Sequence, residues 1–108
     1  MKRGDIVIVS ASGDYGKPRP AIVIQSDRLK SVDSVLVSLM TSTLADAPLF
    51  RLSIEPSETN GLKLSSQVMV DKILAIPRGK CGEVIGRIDE SALIALNHML
   101  SVVIGIAD

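Results

Sequence analysis

Arg19 stands between Pro18 and Pro20. The two rings restrict the backbone on either side of it, so the guanidinium projects from a fixed point. A planar fork held this way suits a phosphate or carboxylate, because it offers paired charge-assisted hydrogen bonds. An arginine that pairs with Asp14 or Asp71 to close the fold would show the same pattern, and the residues alone leave the two roles level. Thr41, Ser42 and Thr43 form a hydroxyl cluster after an apolar run. Such a cluster contacts phosphate oxygens or caps a turn. Asp71 interrupts another apolar run and is expected at a strand end or in a pair, since a buried lone carboxylate is costly. His98 lies among Leu96, Met99 and Leu100 and reads as a helix-surface or interface residue. Cys81, between Lys80 and Gly82, has cations nearby but no partner base, which makes it a weak nucleophile candidate. The chain carries neither a glycine-rich nucleotide loop nor an HExxH zinc motif.

Composition narrows the chemistry further. The 108 residues suit one domain spanning 1–108. At 46% hydrophobic, the chain has ample material for a core. Tyr15 and Phe50 are its only aromatics, too few for the stacking platforms that hold single strands without sequence preference. Twelve basic residues balance twelve acidic ones. Bulk charge is therefore not a means of coating nucleic acid. Locally the balance tips: within the first thirty residues Lys2, Arg3, Lys17, Arg19, Arg28 and Lys30 face Asp5, Asp14 and Asp27, an excess of three positive charges. One Cys and one His exclude an internal disulfide and the usual zinc sets. No apolar run reaches the ~18 residues of a membrane span. The expectation is a soluble, cytoplasmic domain without metal or cofactor.

Several short elements must position these groups. Asp5–Ser10, Ala21–Gln25, Ser34–Met40, Leu49–Ile54, Gln67–Ile76 and Glu83–Arg87 read as strands, being brief β-branched or alternating runs bounded by turn residues. Loops are expected at 11–18, 41–48 and 55–66, the last containing Asn60-Gly61, with a turn at 77–82. The period then changes to that of a helix. Asp89 is a plausible N-cap, Leu93, Leu96, Leu100, Val103 and Ile104 recur at helical spacing, and Gly105 ends the run. Short strands joined by hairpin-length loops favour a small antiparallel β-barrel with a C-terminal helix. Met99 and Ile106 would be left over for a partner.

The order of these segments resembles the MazF/PemK family of toxin endoribonucleases. RGDIVIV opens the chain, followed by GKPRPAIVIQSD, VLVSLMTST, SQVMVDKILAIPR and IGRIDESALIALNHML. The resemblance runs in order over nearly the whole chain. Its specific parts are the RGD-plus-apolar opening, the RPAIVI strand and the Gly-Arg-Ile-Asp entry to the helix.

This resemblance implies an SH3-like barrel working as a homodimer in a type II toxin–antitoxin pair. It implies metal-independent cleavage of single-stranded RNA, usually messenger RNA, by attack of a 2′-hydroxyl on the adjacent phosphate. The ends left would be a 2′,3′-cyclic phosphate and a 5′-hydroxyl. A cognate antitoxin would cover the RNA groove, and the toxin–antitoxin complex would bind DNA. Position by position, the family's catalytic Arg falls on Arg19 and its Thr on Thr41, while an acidic residue that is Glu in many members is Asp14. The Asp after the long loop is Asp71. Tyr15, Lys17, Ser42, Thr43, Asp71 and Lys72 are expected to bind substrate. The chain departs from the family in having Met69 where some members carry Arg, and Lys72 where Gln is common. Tyr15 and Gly16 stand where Gln or His often occurs. Two rival readings are a gyrase-poisoning toxin of the same fold and a degenerate member that only binds antitoxin. The first is disfavoured by a C-terminus, VVIGIAD, without the Trp those relatives use.

Overall fold

The computed structural model describes residues 1–10 and 17–108. Asp14, Tyr15 and Gly16 therefore lie outside the described residues. Among these residues six strands, β1 (Asp5–Val9), β2 (Arg19–Val23), β3 (Ser34–Thr41), β4 (Arg51–Ile54), β5 (Ser66–Pro77) and β6 (Cys81–Arg87), precede one helix, α1 (Glu90–Val103). The strands form one antiparallel sheet in the order β4-β5-β3-β2-β1-β6.

Alternation along the strands divides the apolar residues between two faces. Val7, Val9, Ala21, Val23, Val35, Val37 and Leu39 pack together on one. Ile6, Ile22, Met40, Val68 and Val70 pack on the other, where α1 covers them with Leu96 and Leu100. The helix begins as its sequence dictates: Asp89 Oδ1 accepts from Ala92 N–H at 2.8 Å and from Ser91 Oγ at 3.1 Å. A cap of this kind contributes about 1 kcal/mol. The helix ends at Gly105, whose φ of 84° is comfortable only for glycine.

One expectation is met only in part and two need correction. The sheet is antiparallel with a C-terminal helix, but among the described residues its hydrogen-bonded ladder does not close, because β4 and β6 remain its outer strands. The loop after β4 reaches across to β6 instead, and Arg87 N–H donates to Thr59 O at 2.9 Å. Asp71 is neither at a strand end nor paired with another described residue; it sits exposed in the middle of β5. Its position follows from the register, in which Val68 pairs with Met40 and Ile73 with Ser38. Four residues of β5, 69 to 72, thus oppose Leu39 alone, and the strand bends with Asp71 and Lys72 on its exposed side. Met99, finally, packs against the core with Ala92, Leu93 and Val103. Positions 92, 96, 99, 100 and 103 form one helical stripe, so Met99 belongs to the covered face. Ile94, Ile104 and Ile106 are the large apolar residues of this region left exposed.

Smaller edges also differ. β6 begins at Cys81 rather than Glu83, and β5 is twelve residues long, running from Ser66 through Pro77. A single 3-10 turn, Arg78–Lys80, links the two.

Candidate functional site

The ends of β2 and β3 bring the candidate residues together. Ala21 pairs with Leu39, Ile22 with Ser38 and Val23 with Val37. Continued outward by two residues, that register places Arg19 opposite Thr41. Pro20 has no N–H for a ladder bond, and the β2–β3 pairing starts only at Ala21. The two strand ends are thereby unpaired toward each other, while Arg19 stays paired with Val9 of β1 and Thr41 with Gln67 of β5. A cavity of about 540 Å³ occupies this opening, lined by Arg19, Thr41 and Ser42 from the strand ends. Ile8, Pro20, Met40 and Ile85 contribute its apolar wall.

Thr41 is half-buried, and its Oγ1 accepts from the N–H of Thr43 at 3.1 Å. The turn-capping role is therefore real. It leaves the O–H proton available to donate, because accepting this bond engages only a lone pair. The segment that follows is held by Gln67, which is 7% exposed and opposite Thr41 in the β3–β5 register. Its side chain accepts from Ala45 N–H and donates to Ala45 O, both at 3.0 Å. Arg51 Nη1 donates to Gln67 Oε1 at 2.9 Å and to Thr43 O at 3.1 Å. A buried amide that satisfies both backbone groups of one residue pins that residue, so the turn carrying Thr41 rests on a fixed support.

The remaining wall comes from a part of the chain that sequence reasoning treated only as a loop. Gly61, Leu62, Lys63, Leu64 and Ser66 complete the lining. The loop is built around Asn60, which is 4% exposed. Asn60 Oδ1 accepts from Ser57 N–H and Leu62 N–H, each at 3.0 Å, and its Nδ2 donates to Glu55 O at 2.8 Å. Two glycines then seat it on β6. A Cβ on Gly61 would strike the Ile85 carbonyl, and one on Gly86 would strike the backbone of Thr59 and Asn60. Asn60-Gly61 was visible as a turn signal, but nothing local announced that the turn is clamped 25 residues downstream, at Gly86.

Not every candidate converges here. Lys17, Thr43, Asp71 and Lys72 do not line this cavity. Met69 is a core residue opposite Arg51 of β4 in the register. His98 is exposed on α1, away from the cavity lining, as its helical context suggested. Burial pushes the Cys81 thiol up, an effect the nearby Arg78 charge opposes. It is thus held protonated at neutral pH and is a poor nucleophile.

The chain was compared with known proteins. Residues 2–104 match the family described as the PemK-like, MazF-like toxin of the type II toxin-antitoxin system. A probable endoribonuclease MazF of Mycolicibacterium smegmatis is 42% identical over 108 residues, covering 99% of each chain. Among solved structures, an endoribonuclease in complex with its cognate antitoxin from a mycobacterial species superposes with a TM-score of 0.82 at 19% identity, covering 98% of this chain and 96% of that one. The Mycobacterium tuberculosis toxin MazF-mt6 gives 0.80 at 22% identity over 94% and 96%. MazF from Deinococcus radiodurans gives 0.78 at 20% identity over 97% and 96%. At these identities the structural likenesses establish the shared fold.

Proposed function

Because the chain belongs to the PemK-like, MazF-like toxin family of type II toxin–antitoxin systems, we propose that it is an endoribonuclease cutting single-stranded messenger RNA between Arg19 and Thr41. The observation that carries this reading is the meeting of those two side chains at one cavity, on the ends of neighbouring strands. The 2′-oxygen of one nucleotide attacks the adjacent phosphorus as the bond to the 5′-oxygen of the next nucleotide breaks. The attacking hydroxyl loses its proton to a base, for which Asp14 is the candidate, and the departing 5′-oxygen takes one up from water. Negative charge collects on the phosphoryl oxygens in between. A guanidinium fork and a hydroxyl held by Thr43 are donors suited to that charge, and the apolar wall strengthens their field by excluding water.

The sheet, with loop 55–65 bonded across to β6, would then be this family's SH3-like barrel. Ser42 would lie along the RNA beside Thr41, while Tyr15, Lys17, Thr43, Asp71 and Lys72 would meet flanking nucleotides. A cognate antitoxin occupying the same groove would silence the enzyme in the cytoplasm. An unstructured RNA incubated with the protein in EDTA should yield 2′,3′-cyclic phosphate and 5′-hydroxyl ends by mass spectrometry. RNA left intact would defeat this assignment and favour a gyrase-poisoning or binding-only role.

The working form would be a homodimer. Small domains leave apolar surface to cover, and Ile94, Ile104 and Ile106 are exposed on and just after the helix. Sedimentation equilibrium at micromolar concentration should return twice the chain mass. A single-chain mass would remove the dimer.

A further inference from the structure

We propose that Lys63 is a phosphate anchor for the RNA, carried to the catalytic pair by the loop that Asn60 builds and the two glycines seat. The inference rests on the endoribonuclease reading and adds a second cationic contact, from a different part of the chain. Lys63 lines the same cavity as Arg19 and Thr41, and it is the one lysine to do so among the described residues. Its side chain is exposed and makes no ion pair among the described residues. The flanking Leu62 and Leu64 line the same cavity. This leaves an ammonium with three donors and no acceptor at the edge of an apolar recess.

The loop's construction is unusual for a segment that only connects two strands. Asn60 is buried and fully engaged, Arg87 N–H is bound to Thr59 O, and neither Gly61 nor Gly86 has room for a side chain. Surface loops generally vary in position, and a loop fixed this firmly holds what it carries at a set distance from its support. Here the support is β6, and what is carried is Lys63. A cleaved phosphate held by Arg19 is joined by one nucleotide to the next phosphate in either direction. A second cation fixed across the same cavity sets how the strand lies in it. Lysine serves as a point charge of this kind, without the directional fork that suits the transition state.

A phosphate contact and a base contact separate experimentally. An anchor on the backbone weakens binding about equally for all sequences and lowers the salt dependence, by roughly 0.7 in the slope of log affinity on log salt for each phosphate released from a single strand. The experiment compares wild type, Lys63→Ala and Lys63→Arg. It measures steady-state cleavage, sequencing of the cut sites, and affinity for an uncleavable 2′-O-methyl RNA between 50 and about 200 mM salt. Lys63→Ala should raise KM about ten-fold with kcat within about two-fold. Its salt slope should be shallower by about 0.7, and its cut-site sequences should not change. Lys63→Arg, which keeps the charge, should restore most of the affinity. An unchanged KM and slope would show a solvated lysine and overturn the proposal. So would altered cut-site sequences at an unchanged slope, which would mark Lys63 as a base reader. A wild-type protein that leaves RNA intact would instead sink the endoribonuclease reading itself, whereas cleavage by wild type with no effect of Lys63→Ala would sink this inference alone.

Discussion

Arg19→Ala is expected to lower single-turnover cleavage at least about a hundred-fold, and as much as about a thousand-fold, with the fold and assembly unchanged. Losing one donor preorganised for transition-state charge costs about 3 kcal/mol, and Arg19 can offer two in one plane. The residue sits at the first position of β2, where it pairs with Val9 of β1 through the main chain, which the substitution leaves in place. Arg19→Lys should remain poor, because a point charge cannot reproduce the fork. Circular dichroism and sedimentation of the purified variant verify that the protein is still folded. Cleavage near the wild-type rate by folded Arg19→Ala would take Arg19 out of the mechanism.

Thr41→Val should reduce turnover about a hundred-fold while affinity for uncleavable RNA changes by less than about three-fold. In the proposed mechanism the hydroxyl acts on charge that develops only as the phosphate is attacked, so the loss belongs to kcat rather than to binding. Valine keeps the shape but removes both functions of Oγ1, its donation into the cavity and its acceptance from Thr43 N–H. The two are separated by Thr41→Ser, which retains the hydroxyl and should recover most of the rate. Binding that falls in step with turnover, or no loss of either, would leave Thr41 as a turn cap.

Why some of this was legible in the sequence and some was not follows from where each signal is stored. Asp89 and Gly105 delimited the helix because a cap and a left-handed glycine act on neighbouring backbone groups. The Pro-Arg-Pro run marked the site for a similar local reason, since proline acts on its own φ and on the residue before it. The bend in β5 left no comparable trace. Four residues oppose one there, and that mismatch exists only once β3 is alongside. Asp71 consequently looked like an intruder in a buried strand when it is an outward-facing residue on a bend.

The motif residues themselves take on a structural meaning. Asp5 of the RGD opening and Arg87 of Gly-Arg-Ile-Asp pair in register between β1 and β6 and join by an ion pair of 3.0 Å. Gly4 holds a φ of 93° beside the Arg87 guanidinium, Gly86 admits the Thr59–Asn60 backbone, and Asp89 caps the helix. Much of what made the chain recognisable is therefore the stitching of its first strand to its last, while the proposed reactive chemistry is assigned to Arg19 and Thr41. Lys63 escaped notice because an ordinary lysine in a polar loop acquires its place only when Gly61 and Gly86 meet.

The pairing of β1 with β6 governs when the protein can first be active during its own synthesis. β1 is made first, but one of its two neighbours, β6, lies some eighty residues later, with Asp5 opposite Arg87. The cavity draws on residues from Ile8 to Ile85, and its Gly61 wall has no seat until Ile85 and Gly86 exist. Contacts this distant in sequence form late and close slowly. A growing chain would contain Arg19 and Thr41 long before it contained the site, with one edge of β1 still waiting for a partner. The ribosome making this protein would therefore be exposed to its cutting activity only once nearly the whole chain had emerged.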